Sequence, residues 1–194
     1  MFLVTGRELP DLRRLFDRFD LFERVVAENG GVLYRPATGE EIMLAGPPPA
    51  PLLRRLQGLN LVPLSIGRVV IATTEPHERA LATTIAELNL DLRLTLNKGS
   101  VMALPTGISK ATGLAVALAE IGIAGTDVVG IGDAENDFEF LAACGYAVAV
   151  ANALSDLKQR CDLVTTGEAG AGVVELIDRM LRDDLPVRAR INAR

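Results

Sequence analysis

The chain has 194 residues, of which 49% are hydrophobic and 23% charged, and its formal net charge is −5. These proportions are typical of a folded domain of ordinary size and exclude intrinsic disorder over most of the chain. The negative net charge argues against a basic surface for a phosphate backbone, and only 4% of the residues are aromatic. We therefore expect no nucleic-acid partner.

Cysteine and histidine content and the apolar runs exclude further classes of protein. Cys144 and Cys161 are too few for a disulfide framework or a zinc site, and His77 is the only histidine. Residues 1–8 do not have the pattern of a secretory signal peptide. The longest stretch of low charge, 111–126, is too short and too interrupted to span a bilayer. We therefore expect a cytoplasmic protein with no membrane partner.

Both ends of the chain consist of short apolar strands that alternate with helices. In chain order, the predicted elements are strand 2–5, helix 8–19, strand 25–27, then strand 127–132, helix 135–143, strand 146–150, helix 154–159, strand 163–165 and helix 173–181. Continuous apolar strands of this kind are buried on both faces, which is typical of a parallel sheet covered by helices. The predicted fold class is α/β, with a doubly wound parallel sheet.

The middle of the chain is predicted to be an α+β module inserted between these two halves. Thr38-Gly39 and residues 97–100 have the composition of hairpin turns. The predicted elements are strands 32–34, 41–44, 68–72, 92–96 and 101–104, and helices 52–56 and 75–88. The domains that follow are a core formed by 1–34 and 107–184, an inserted domain at 35–106, and a tail at 185–194.

Acidic and amide side chains directly follow the predicted strand 127–132. Asp133 comes at the carboxyl end of that strand, where open α/β sheets bind ligands. Asn136 and Asp137 are three and four residues further on, on the same face of the first helical turn. Two carboxylates and an amide that converge there would suit Mg²⁺. The alternative is that Asp133 is only a helix N-cap and that Asp137 favours the helix dipole.

Two further segments are candidates for binding an anion. Thr5, Gly6 and Arg7 lie between the first strand and the first helix, where backbone N–H groups bind anions; alternatively, Thr5 is an N-cap and Gly6 a turn residue. Lys110 opens the helix after the inserted module, where its charge opposes the helix dipole. A phosphate, or the carboxylates near Asp133, would explain that position. The alternative is a solvated surface lysine.

The order of these motifs resembles the haloacid dehalogenase superfamily, and within it the Cof-type hydrolases and the phosphoglycolate and sucrose phosphatases. The resemblance rests on Thr5 at a strand end, on Lys110, and on the segment GDAEND at 132–137. The segments VAENG at 26–30 and AVANA at 149–153 have similar local contexts. The resemblance covers nearly the whole chain.

The resemblance implies a Mg²⁺-dependent phosphatase that acts on small phosphorylated metabolites through an aspartyl-phosphate, with the inserted α+β domain as a cap over the site. It implies catalytic roles for Thr5 and Lys110, metal binding by Asp133 and Asp137, and substrate binding by Gly6, Arg7, Asn29 and Asn136. It leaves open a phosphomutase on the same scaffold, or a non-catalytic module that binds phosphate or metal.

One motif of that superfamily has no counterpart here. The 194 residues contain no Asp-x-Asp-Gly-Thr segment, which would supply the nucleophile and the general acid/base. Asp11, Asp17 and Asp20 lie on or beside the first predicted helix and cannot replace a nucleophile at a strand end. We therefore expect a shortened chain of low activity that lacks the first core strand and associates into homo-oligomers through open strand edges. The alternatives are that the flanking strands close up or that a second chain supplies the strand.

Overall fold

The computed structural model of the chain describes residues 1–182 and Leu185. Apart from Leu185, the predicted tail at 185–194 lies outside the described residues. The chain divides into two compact units, Met1–Ala117 and Leu118–Arg194.

The first unit contains a four-stranded sheet built from residues near the start of the chain. Its strands are β1 (Phe2–Val4), β2 (Arg24–Ala27), β3 (Val32–Arg35) and β4 (Glu40–Met43), in the order β1-β2-β3-β4. β1 and β2 are parallel and joined through helix α1 (Leu9–Leu15), whereas β3 and β4 form the predicted hairpin. Within the described residues β1 pairs only with β2, so it is an edge strand of this sheet.

Helix α1 is shorter than predicted, since the apolar periodicity had suggested a helix over 8–19. The helix ends at Leu15, and Phe16 is already extended. The ring of Phe16 lies 5.7 Å from that of Phe19 and 5.8 Å from that of Phe22, centroid to centroid. Aromatic packing of this kind is favourable over such distances, so contacts within the segment 16–22 oppose continuation of the helix past Leu15.

The middle of the chain forms an antiparallel sheet with two helices, also within the first unit, as predicted for the strands after residue 65. The strands predicted at 32–34 and 41–44 belong instead to the first sheet, because β3 pairs with β2. Its strands are β5 (Ser65–Ile66), β6 (Ile71–Thr74), β7 (Leu92–Asn97) and β8 (Ser100–Pro105), in the order β5-β6-β8-β7, and its helices are α2 (Ala50–Gln57) and α3 (Glu78–Glu87). Buried leucines of the two helices pack with Ile71 and Val101 of the sheet. Met102 and Leu104 instead join a cluster with Val25 of the first sheet. Helix α4 (Lys110–Glu120) follows β8.

The second unit contains a parallel sheet with three helices. Its strands are β9 (Val129–Gly132), β10 (Tyr146–Ala149) and β11 (Leu163–Val164), in the order β11-β10-β9, and its helices are α5 (Phe138–Ala143), α6 (Ser155–Lys158) and α7 (Ala169–Leu181). Parallel strands that alternate with helices confirm the predicted α/β class. β9 pairs only with β10 among the described residues and is therefore an edge strand of this sheet.

Helix α7 occurs where the sequence predicts it, but its apolar residues do not form the buried stripe that their spacing indicates. Leu176 is buried and packs with Tyr146 and Val148 of β10. Val174, Met180 and other apolar residues of the helix are exposed.

No helix of the described part of the chain combines the length and apolarity needed to cross a bilayer.

Candidate functional site

The Thr5–Arg7 loop follows β1 and is held by backbone hydrogen bonds. The Thr5 N–H donates to the Val26 carbonyl oxygen at 2.8 Å, which continues the pairing of β1 with β2. The Thr5 carbonyl accepts from the Asn29 N–H at 2.9 Å, and the Arg7 carbonyl accepts from the Glu28 N–H at 3.0 Å. The Thr5 hydroxyl oxygen accepts from the Arg7 N–H at 3.1 Å and can still donate its own hydrogen.

Asn29 lies in a tight turn, Glu28–Gly30, directly after β2. Its φ is +55° and its side chain is buried, with 1% of the residue exposed. Left-handed backbone is uncommon for residues other than glycine, although asparagine tolerates it better than most. The hydrogen bond from the Asn29 N–H to the Thr5 carbonyl brings Asn29 beside Thr5.

Lys110 begins helix α4 and is only 7% exposed, so it is not a solvated surface lysine. Ser109 caps the helix reciprocally with Thr112: the Ser109 N–H donates to the Thr112 hydroxyl oxygen at 2.9 Å, and the Thr112 N–H donates to the Ser109 hydroxyl oxygen at 3.3 Å. The turn that holds Asn29 packs directly on this helix start, because a Cβ added to Gly30 would lie 1.9 Å from the Ser109 carbonyl oxygen. The turn that carries Asn29 is therefore in contact with both the Thr5–Arg7 loop and the helix start that carries Lys110.

In the second unit, Asp133 follows β9 and Asp137 folds back over the same loop. One carboxylate oxygen of Asp137, Oδ2, accepts from the Asp133 N–H at 2.7 Å and from the Ala134 N–H at 3.1 Å. Asp137 is 3% exposed and Asn136 is also buried, whereas Asp133 is half-buried. The cap position of the helical turn is Ala134, so Asp133 is not the N-cap that was the alternative reading of this motif.

The donor set of the second unit suits a hydrated cation better than a dehydrated one. Within the described residues, no group of three or more His, Cys, Asp or Glu side chains forms a site that could hold a metal ion. Asp137 Oδ2 already accepts two N–H groups. Mg²⁺ keeps several waters and commonly uses only one or two protein carboxylates. The prediction that Asp133 is a direct ligand and that Asp137 acts through water is compatible with this preference and stays a prediction.

Cys144 does not offer an alternative nucleophile. Its thiol is buried and donates to the Phe140 carbonyl oxygen at 3.2 Å. Burial raises the pKa of the Cys144 thiol to about 11, so the thiol stays protonated near neutral pH and lacks the thiolate that attacks electrophiles.

Sequence reasoning missed two carboxylates that organise loops, Glu28 and Glu175. Glu28 accepts backbone hydrogen bonds from residues just before β6, and Glu175 accepts them from residues just after β11. For Glu28, the available signal was a charged residue placed directly after the buried strand β2. For Glu175, the sequence offers only an acidic residue on an apolar helix.

Comparison with known proteins relates most of the chain to one family. The family model of the haloacid dehalogenase-like hydrolases matches residues 60–177. The phosphoglycolate phosphatase of Methanothermobacter thermautotrophicus is 32% identical over 164 residues, which cover 81% of this chain and 72% of that protein. The phosphoglycolate phosphatase of Aeropyrum pernix is 32% identical over 187 residues, which cover 92% of this chain and 77% of that protein.

Solved structures of similar fold come from the same family. A haloacid dehalogenase-like hydrolase from Bacteroides thetaiotaomicron superposes with a TM-score of 0.75 at 21% identity, over 92% of this chain and 85% of its own. The sucrose-phosphatase of Synechocystis, solved with sucrose and phosphate, gives a TM-score of 0.67 at 16% identity, over 92% and 84%. At these identities the structures establish the fold. The family model and the two relatives show that this chain belongs to the haloacid dehalogenase-like hydrolases, among the phosphatases of that family.

Proposed function

We propose that this chain carries the phosphate-binding and metal-binding residues of a Mg²⁺-dependent phosphatase for a small phosphorylated metabolite. One observation carries the proposal: the turn that carries Asn29 is hydrogen-bonded to the Thr5–Arg7 loop and packs on the helix start that carries the buried Lys110. Because the relatives described above are phosphoglycolate phosphatases, phosphoglycolate is the first substrate to test.

In this proposal, the first unit binds the phosphoryl group. The Thr5 hydroxyl and the Gly6 N–H donate hydrogen bonds to phosphoryl oxygens, and the ammonium group of Lys110 neutralises their charge. Arg7 and Asn29 add further donors for the substrate. Phosphoryl transfer needs mainly such positioning and charge stabilisation, which supports the assignment of these donors.

The second unit would hold the metal. Asp133 would bind Mg²⁺ directly, Asp137 would act through water while it holds the loop, and Asn136 would contact the substrate. When bound, Mg²⁺ would supply positive charge that stabilises negatively charged oxygens. The Asp137 carboxylate accepts hydrogen bonds from the backbone that carries Asp133. These contacts support the proposal that Asp133 binds the metal while Asp137 holds the loop.

The nucleophile of an aspartyl-phosphate mechanism is not among these 194 residues, which contain no Asp-x-Asp-Gly-Thr segment. This absence favours a second candidate function, a non-catalytic module that binds phosphate or metal. The division into a core at 1–34 and 107–184 and a cap at 35–106 that selects the substrate remains part of the proposal, as does a location in the cytoplasm.

The first experiment measures binding and turnover of the 194-residue protein. Calorimetric titration with inorganic phosphate, with Mg²⁺ present, should show binding. Lys110→Gln should weaken the binding at least tenfold, since a buried cation that faces phosphate stabilises it strongly. The matched control is Lys98→Gln, which removes an exposed lysine of the β7–β8 hairpin. If wild type does not bind phosphate, or if both variants bind alike, the proposal is wrong.

Turnover separates the two candidate functions. Hydrolysis of phosphoglycolate and p-nitrophenyl phosphate by the chain alone should be far below about 1 s⁻¹, an ordinary enzymatic rate. A synthetic strand peptide that ends in Asp-x-Asp-Gly-Thr should then raise the rate if the chain is a phosphatase scaffold, because an open sheet edge can accept an added strand. Phosphate binding without any peptide-dependent hydrolysis would favour the non-catalytic module. Fast hydrolysis by the chain alone would mean that its nucleophile has been misassigned.

A further inference from the structure

Glu28 is a buried carboxylate that has no part in the proposed chemistry. It is 2% exposed. Its Oε1 accepts from the Arg68 N–H at 3.0 Å, and its Oε2 accepts from the N–H groups of Val69 at 2.8 Å and Val70 at 3.0 Å. Successive backbone N–H groups that converge on one acceptor form an anion-binding nest. Here the nest is filled by a side chain from a distant part of the sequence.

The nest explains why β6 starts later than the sequence predicts. The apolar pattern had indicated a strand over 68–72, but β6 spans Ile71–Thr74. The preceding N–H groups bond to Glu28 instead of joining a strand ladder. The fit is close, because a Cβ added to Gly67 would lie 2.6 Å from Glu28 Oε2.

The backbone of the same residue is bonded to the Thr5–Arg7 loop. The Glu28 N–H donates to the Arg7 carbonyl at 3.0 Å, and the next N–H, that of Asn29, donates to the Thr5 carbonyl at 2.9 Å. Glu28 has a φ of +50° and Asn29 a φ of +55°. Such left-handed backbone persists in non-glycine residues only where surrounding contacts fix it, and it concentrates at functional sites.

We propose that Glu28 is a positioning residue that fixes the Thr5–Arg7 loop and Asn29 relative to the start of β6. Its side chain holds the 67–70 segment and its backbone holds the phosphate-binding loop, so the two segments keep one relative geometry. Where it concerns phosphate affinity, this inference rests on the proposed function. Removal of the Glu28 carboxylate should therefore disturb the Thr5–Arg7 loop, which is hydrogen-bonded to the Glu28 backbone.

The test compares three variants with wild type by amide hydrogen exchange and by calorimetric titration with inorganic phosphate. Glu28→Gln places an amide NH₂ group against the nest, and Gly67→Ala crowds the carboxylate without removing its charge. Both should speed exchange at residues 68–70 and also at Arg7 and Asn29, and both should raise the dissociation constant for phosphate roughly tenfold, as misplaced binding groups do.

The matched control is Glu175→Gln. Glu175 also accepts three hydrogen bonds from one loop, namely from the Thr166 N–H, the Thr166 hydroxyl and the Gly167 N–H, but it does so in the second unit. It accepts a fourth from the Arg179 side chain. This variant should leave phosphate affinity and exchange at Arg7 and Asn29 unchanged. If it shifts them as much as Glu28→Gln does, the effect is general destabilisation and the proposal fails.

Two further outcomes separate the inference from the proposed function. Faster exchange confined to 68–70, with phosphate affinity and exchange at Arg7 and Asn29 as in wild type, would make Glu28 merely structural and overturn the inference. If wild type does not bind phosphate, the proposed function fails, and exchange at Arg7 and Asn29 still decides the role of Glu28. If Glu28→Gln does not fold, Gly67→Ala carries the same test.

Discussion

Two loops of this protein follow short parallel strands, but different groups accept the hydrogen bonds that their N–H groups donate. In the Thr5–Arg7 loop after β1, the Thr5 N–H donates to the Val26 carbonyl oxygen and the Arg7 N–H donates to the Thr5 hydroxyl oxygen. In the loop after β9, the N–H groups of Asp133 and Ala134 donate to the Asp137 carboxylate. A charged acceptor makes the stronger hydrogen bonds, so the second loop depends on one side chain, whereas the first depends on backbone pairing and close packing.

The largest effect expected from breaking the first loop is that of Gly30→Ala. The new Cβ would lie 1.9 Å from the Ser109 carbonyl oxygen, at a φ of +105°. We expect a loss of roughly 3–5 kcal/mol in the free energy of unfolding, from the clash and the strained backbone together. Urea denaturation measures it. The matched control is Gly39→Ala, with φ +74° and no atom within 4 Å of the new Cβ, which should cost only about 1 kcal/mol. Equal losses in the two variants would show that Gly30 does not pack closely on Ser109.

The corresponding change in the second loop is Asp137→Ala. It removes the acceptor of two loop N–H groups, and a buried donor without its partner costs about 1–3 kcal/mol. We expect a total loss of roughly 2–4 kcal/mol in the free energy of unfolding, measured by urea denaturation. Glu135→Ala, which changes an exposed carboxylate of the same helical turn, should change stability by less than about 0.5 kcal/mol. A similar loss in both would mean that Asp137 does not hold the loop.

Asp133→Asn tests the prediction that the loop after β9 binds a cation. The side chain is half-buried and follows β9, so the neutral amide should leave stability almost unchanged. Mg²⁺ affinity should fall at least tenfold, because loss of groups that support a metal site typically costs ten- to a hundredfold. Calorimetric titration with MgCl₂ measures it, and Glu135→Gln is the control. Equal Mg²⁺ affinity in wild type and Asp133→Asn would refute the assignment of this ligand.

The strand ends that precede both loops could be predicted from the sequence, because a continuous apolar run followed by polar residues is a local pattern. GDAEND after β9 and Thr5 after β1 are visible in that way. The burial of Lys110 could not be predicted, since it arises from the turn around Gly30 packing on the helix start.

Side-chain contacts also account for the errors in the predicted elements. The predicted strand at 68–72 was displaced by the distant Glu28 carboxylate, which takes up three N–H groups. Here a partner remote in sequence overrides local preference, and no pattern within the segment reveals it. The predicted helix 8–19 ends at Leu15, and Phe16 packs with Phe19 and Phe22, three and six residues further on. That packing is local, but apolar spacing alone does not distinguish it from a helical stripe.

The smallest expected effect concerns pH and the carboxylate that holds residues 166–167. Hydrogen bonds from the Gly167 N–H and from the Thr166 hydroxyl lower the pKa of Glu175 below its usual 4.5. A carboxyl whose pKa is lower in the folded state stabilises the fold above its unfolded pKa, and that contribution is lost as the pH falls through the folded value. Glu175→Gln should therefore melt at a lower temperature than wild type at pH 7, and the two melting temperatures should converge between about pH 5 and pH 3. Thermal denaturation followed by circular dichroism across that range measures the difference. A difference that stays constant with pH would show that ionisation of Glu175 does not stabilise the loop.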